Sequence, residues 1–166
     1  MFRNRTITCG LLQALLLTTI LAAAPACAQQ SLFEDVAGSW SGAGSMKTKD
    51  GPRERVRCKA DYVAKNEGQS VKLNLRCASD AYKMDLSANI DQSGNSLSGN
   101  WFESQYRQGG KISGQNLNGL IEAKAESDTI TALLTDHTKG NRQSFVMESP
   151  GAWVSQVSID LVKASR

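Results

Sequence analysis

Between Arg53 and Ser79 the chain reads RERVRCKADYVAKNEGQSVKLNLRCAS, and its side chains alternate in character on both sides of Glu67-Gly68. A period of two is the mark of a strand with one buried face, and a glycine-containing break between two such runs marks a hairpin. Centring the turn on Glu67-Gly68 sets Cys58 opposite Cys77. The same register pairs Ala60 with Leu75, Tyr62 with Leu73 and Ala64 with Val71 on one face, while Lys59, Asp61 and Val63 meet Arg76, Asn74 and Lys72 on the other. A slip of one residue would send every apolar side chain to the wrong face. Opposed cysteines are bridged most readily at a non-hydrogen-bonded pair, where Cβ atoms approach to about 3.8 Å. Position 58 falls on such a pair when the loop runs from Asn66 to Gln69, so the spacing predicts that loop, or a bulge, and a Cys58–Cys77 disulfide. The bridge is expected to be structural, because redox-active pairs usually show C-x-x-C spacing.

An oxidised pair requires an oxidising compartment, and the start of the chain points to one. Arg3 and Arg5 precede the apolar run LLQALLLTTILAAA, which leads into Ala26-Cys27-Ala28, a small-x-small cleavage pattern. Residues 1–28 therefore read as a secretory signal peptide cut before Gln29, with residues 29–166 as one domain. The apolar run is shorter than the roughly 20 residues of a membrane span, and no later segment is apolar enough to serve as one. Removing the signal takes away Arg3, Arg5, Cys9 and Cys27 and no acidic residue. The formal net charge of +3 thus shrinks to near balance and gives no argument for nucleic acid. Two cysteines remain, with one intramolecular pairing open to them. The expected location is periplasmic or secreted.

The strand pattern continues downstream. Tyr82, Met84, Leu86, Ala88 and Ile90 alternate with Lys83, Asp85, Ser87 and Asn89. A turn centred on Ser93-Gly94 would set Ile90 opposite Leu97 and Leu86 opposite Trp101. Further strands are expected over Lys111 to Gln115, Leu120 to Ala125, Asp128 to Asp136, Arg142 to Glu148 and Trp153 to Lys163, divided by turn residues. The only helix expected after the signal is a turn at Ser31 to Val36. These elements predict an all-β chain, an antiparallel up-and-down meander of about 8–10 strands. A closed barrel is favoured over a β-sandwich because closure removes unpaired edges. The inward row would hold Trp40, Tyr82, Leu86, Trp101, Phe145 and Ile159 beside small Ala88, Gly99, Gly114, Ala123 and Ala132. Small inward residues suit either tight packing, marginally the favoured reading, or room for a guest.

Nothing in the sequence assembles a nucleophile with its base. The single histidine, His137, falls in a predicted turn after Asp136, without a G-x-S-x-G motif. No metal-ligand spacing, phosphate loop or dinucleotide pattern is present, so no metal or cofactor is expected. Hydrolysis would require carboxylates such as Asp85 or Glu103 to converge, against the outward assignment of Asp85. A non-enzymatic protein is therefore expected. The most distinctive surface feature is the stripe Arg53, Arg55, Arg57 and Lys59 with Lys72 and Arg76 across the hairpin. It reads first as a solvated face screened by salt and second as a dock for an anionic envelope component such as a polymer, a lipid head group or an acidic protein.

Gly38-Ser39-Trp40 on the first strand resembles the G-x-W signature of lipocalins, whose tryptophan plugs the base of a ligand-binding barrel. In that likeness a basic residue of the last strand partners the tryptophan, and here Lys163 or Arg166 would serve. The segments GSWSGAG, RVRCKADY, LRCASDAYKMDL, SGNWFE and KGNRQSFVM also resemble small uncharacterised secreted proteins of Gram-negative bacteria, a likeness that brings no activity. The expected function is binding of a small, partly apolar molecule inside a calycin-like barrel lined by Trp40, Tyr82, Met84, Leu86 and Trp101. The alternative is an envelope-associated binding or inhibitory module acting through the basic face and loops.

Overall fold

The structure is a computed structural model that describes residues 32–165; the signal peptide read from residues 1–28 lies outside the described residues. A short helix, α1 (Leu32–Val36), precedes β1 (Gly38–Thr48), β2 (Arg53–Lys65), β3 (Ser70–Ala78), β4 (Lys83–Ser93), β5 (Ser96–Glu103), β6 (Gln108–Leu117), β7 (Leu120–Glu126), β8 (Thr131–Lys139), β9 (Arg142–Glu148) and β10 (Val154–Lys163). Each strand pairs antiparallel with its sequence neighbours, and β10 returns to pair with β1. The meander is a closed barrel, and the sandwich alternative is excluded. Closure leaves no strand edge open to another chain.

The first hairpin follows the register read from the sequence. Cys58 faces Cys77, and Ala60, Tyr62 and Ala64 face Leu75, Leu73 and Val71. The loop spans residues 66–69, with Asn66, Glu67 and Gly68 at φ of 51°, 55° and 76°. Three successive left-handed residues are costly for ordinary side chains, and the glycine carries the last at no steric cost. The two cysteines form a disulfide with their Cα atoms 4.1 Å apart, in keeping with the close approach of a non-hydrogen-bonded pair. Both sulfurs sit on the inward face, in buried positions.

The second hairpin differs from expectation by two residues of register. Ile90 pairs with Gly99, Ala88 with Trp101 and Leu86 with Glu103, in place of Ile90 with Leu97 and Leu86 with Trp101. The turn is Gly94-Asn95, closed by Ser93 opposite Ser96, with Gly94 at φ 59°. A shift of two leaves every side chain on its predicted face. What selects the observed register is size: it places the Trp101 indole between Ala88 and Gly110 and sets Ile90 beside Gly99, so that large side chains fill the space that small ones leave.

One end of the barrel is floored by α1. Phe33 and Val36 are buried against Val71 and Leu97. The helix is too short to satisfy its own terminal carbonyls, and the barrel supplies the donors. Trp40 Nε1 donates to the Val36 carbonyl at 2.8 Å, and Lys163 Nζ donates to the Asp35 carbonyl at 2.8 Å. Lys163 also lies 5.6 Å from the centroid of the Trp40 ring, within cation–π range. Lys163 is thus the basic residue of the last strand that partners the Gly-x-Trp tryptophan.

Replacing both bridged cysteines, Cys58→Ala with Cys77→Ala, is expected to lower the unfolding free energy by about 3 kcal/mol through the larger entropy of the unlinked unfolded chain. Denaturant titration of the two proteins side by side measures it.

Candidate functional site

Inward side chains are not packed evenly around the barrel. On β10, β1 and β2 the inward Trp40, Met46, Val56, Cys58, Ile159 and Leu161 are buried, Trp40 at 2% exposure and Ile159 at 1%. Across the lumen, Leu73, Leu86, Trp101, Leu134, Phe145 and Met147 also face inward yet are only half-buried. An inward side chain of a closed barrel can be reached by solvent only from inside or through the ends. The β3–β9 side is therefore less completely buried than the β10–β2 side, although its apolar side chains pack against the buried clusters.

Away from α1, the barrel end is formed by the connections 49–52, 79–82, 104–107, 127–130 and 149–153. Three of them contribute an aromatic cluster. The Trp153 ring meets Tyr82 at 4.8 Å between centroids and 73° between planes, and Tyr106 at 5.5 Å and 51°. Edge-on and tilted contacts of this kind are the favoured aromatic geometry. Trp153 comes from the β9–β10 connection, while Tyr82 and Tyr106 come from β3–β4 and β5–β6, four strands away around the wall on either side. Trp153 thus bridges the mouth, and it remains 45% exposed. Beneath it Glu103, 6% exposed, fixes the β5–β6 connection: its Oε1 accepts the Asp85 backbone N–H at 2.8 Å and its Oε2 accepts that of Tyr106 at 2.6 Å.

The interior residues expected from the sequence fall into two groups. Met84, Leu86 and Trp101 are inward and half-buried, and Tyr82 stands at the mouth. Trp40 faces inward but is packed into the floor. The basic residues Arg53, Arg55, Arg57, Lys59, Lys72 and Arg76 are all exposed on the outer face. A shallow depression of about 430 Å³ lies there over Ala43, Gly44 and Ser45, beside Arg53, Glu54 and Arg55. Arg53 is partly engaged, donating to Ser45 Oγ and Gln156 Oε1, and Arg76 pairs with Asp85 at 3.7 Å. Asp85 is held on the outer face and both oxygens of Glu103 are taken by backbone, so these two carboxylates do not converge. His137 corrects the sequence reading: it sits within β8, exposed, because Thr138 and Lys139 continue the ladder with Gln143 and Arg142 before the turn at Gly140.

Sequence reasoning missed a polar cluster near the floor. Asp136 faces the lumen, as its parity with Ala132 and Leu134 could have shown. Thr138 Oγ1 donates to Asp136 Oδ1 at 3.2 Å, and Gln143 Nε2 donates to the same oxygen at 3.3 Å. Gln143, 3% exposed, in turn accepts from the Tyr62 hydroxyl through Oε1 at 3.0 Å. Burial pushes the Asp136 carboxyl up from its ordinary 3.8 to about 6, against the lowering influence of the Thr138 and Gln143 hydrogen bonds. Burial, and the charge of Asp136, hold the Tyr62 phenol well above its ordinary range. Among the described residues no cation pairs with Asp136.

The folded chain binds the Asp136 proton more tightly than the unfolded chain does, so ionising the group opposes folding. Its contribution falls as pH rises from 3.8 toward about 6 and stays lowered above that. Asp136→Asn, which removes the charge with little change of shape, is expected to stabilise the protein at neutral pH by about 2 kcal/mol. The gain should vanish at pH values below the ordinary carboxylate pKa, a convergence that melting temperatures measured across pH can test.

No protein-family model and no curated protein matches the sequence. Solved structures of similar fold do exist. An S-type phycobiliprotein lyase, CPES from Guillardia theta, superposes with a TM-score of 0.56 at 11% identity, over 82% of this chain and 93% of that one. Rv2717c from M. tuberculosis superposes with a TM-score of 0.64 at 12% identity, over 84% and 99%. At such identities the likeness is one of fold, and it corrects one expectation. Because a neighbour of this fold is a lyase, the lack of a recognisable catalytic motif does not make this chain non-enzymatic. The chain has the all-β, closed, ten-stranded up-and-down architecture of calycin-like barrels.

Proposed function

We propose that this barrel binds a small, partly apolar molecule in its lumen, admitted past the Tyr82–Trp153–Tyr106 cluster. The observation that carries the reading is the row of inward apolar side chains that are only partly buried although the wall is closed. Core residues normally close such space, since protein interiors pack as densely as organic crystals. Ligand sites, by contrast, are concave, largely apolar and supplied with a few polar groups. Trp101 Nε1, a buried donor with no partner among the described residues, and the Asp136 cluster are such groups. The signal peptide read from residues 1–28 supports a periplasmic or secreted location, where the Cys58–Cys77 bridge is stable.

Nile red provides a test. Saturable binding with a blue-shifted emission is expected, and Leu134→Trp, which fills the lumen from β8, should abolish it in a protein of unchanged circular dichroism. Trp153→Ala should accelerate both association and release, each by roughly tenfold, with little change in affinity. Undiminished binding by the Leu134→Trp protein would place the dye elsewhere and remove the lumen as the site.

The depression over β1 favours a second reading, docking of an anionic envelope polymer on the outer face. Arg55 and Arg57 form no ion pair among the described residues, and they flank a trough floored by small side chains. Arg55→Glu with Arg57→Glu should then lower retention on immobilised dextran sulfate and flatten its salt dependence. Equal retention of both proteins at low salt would exclude this face.

A further inference from the structure

The two donors that reach the Asp136 carboxylate point to the same oxygen. Thr138 Oγ1 and Gln143 Nε2 both donate to Asp136 Oδ1, and Tyr62 reinforces the chain by donating to Gln143. Asp136 Oδ2 takes no hydrogen bond among the described residues, and the residue is only partly buried although its side chain faces the lumen. An ionised carboxylate is acceptor-only, so this oxygen, which is open to solvent, can accept from a donor that arrives in the lumen.

The charged groups nearby do not answer it. His137 and Lys139, its neighbours on β8, are exposed on the outer face, as are Glu122 on β7 and Arg142 on β9. Lys163, the basic residue that reaches the floor, spends its ammonium on the Asp35 carbonyl and the Trp40 ring. Tyr62 faces the cluster but gives its proton to Gln143. A partly buried carboxylate with no cation beside it gains from a counter-charge that reaches its open oxygen.

We propose that the lumen takes a cationic amphiphile, an apolar molecule with a protonated amine at one end, whose ammonium donates to Asp136 Oδ2 at the floor while its apolar body lies against Leu73, Leu86 and Leu134. This rests on the lumen reading above and adds to it the chemical class of the ligand and its orientation. An ammonium has three donors and no acceptor. Beyond Asp136 Oδ2, the free lone pairs of Gln143 Oε1 and the Tyr62 oxygen are the acceptors the cluster still offers. A carboxylate ligand would meet a like charge there, and a neutral alcohol would gain one ordinary hydrogen bond in place of a charge-assisted one.

Three probes of equal chain length separate the terms: decylamine, decanol and decanoate. Binding is followed by quenching of tryptophan fluorescence and by calorimetry, below the micelle concentration of each and at neutral pH. The native protein should prefer decylamine to decanol by roughly tenfold and bind decanoate most weakly. Asp136→Asn should bring decylamine to the level of decanol and leave decanol unchanged. Equal affinity for amine and alcohol in the native protein, or an amine preference that survives Asp136→Asn, overturns the inference while the lumen reading stands. Absence of binding by all three probes overturns both.

Discussion

The antiparallel pairing of β10 with β1 is the constraint on which the rest of the molecule depends. It turns a row of hairpins, each marginal in water, into a surface without edges. Once the sheet is closed, side-chain alternation sorts every residue into wall or lumen. The same pairing sets Trp40 across from Lys163, bringing the first strand's tryptophan and the last strand's cation to one place. There they receive the terminal carbonyls of α1. The floor is thus assembled from three distant points in the sequence, and it exists only if the barrel closes.

Closure also explains why packing is uneven. The sector of β10, β1 and β2 holds Trp40, Ile159, Leu161 and the disulfide in tight contact, with Gly42 and Gly44 of β1 letting the β10 backbone approach closely. A side chain added at Gly44 would approach the Ser158 carbonyl to 1.9 Å. That sector and the floor bear the stability of the fold, and the disulfide pins the strand pair next to them. The facing sector is relieved of that duty. Buried apolar residues fall into three separate groups instead of one continuous core, and the half-buried row of Leu73, Leu86, Leu134 and Phe145 lies among them.

Much of this architecture is legible in the residues, because alternation is a local property and closure follows from it. The Cys58–Cys77 register, the loop at 66–69, the limits of Arg142–Glu148 and the helical turn before Gly38 all come from patterns within a few residues. The second hairpin shows where local reading stops. Ser93-Gly94 and Gly94-Asn95 are equally good turn centres, and only the fit of Trp101 between Ala88 and Gly110, a contact involving a third strand, decides between them. The site was less legible for the same reason. Tyr82, Tyr106 and Trp153 belong to three different connections, and Tyr62 of β2 is far in sequence from the β8–β9 hairpin that carries Asp136 and Gln143, so neither cluster leaves a motif. His137 is exposed on the outer face, while its neighbour Asp136 has the parity that faces inward.

The two ends of the lumen differ in kind, and the difference gives the barrel a direction. At the mouth the closing groups are aromatic rings, which can slide or rotate at little cost because they are held by contacts without directional hydrogen bonds between the rings. At the floor the groups are fixed. Gln143 is buried and hydrogen-bonded to Tyr62, Asp136 and Thr138, and α1 closes the space behind. On the proposed reading, a ligand admitted at the mouth would pass Glu103, whose oxygens are held by backbone, then the apolar wall, and would reach the Asp136 carboxylate last. Desolvating an ammonium is expensive, and for the proposed cationic ligand that expense would be recovered only on reaching Asp136. A site arranged in this way discriminates by what the far end of the ligand carries, and tolerates variation in the body that follows it.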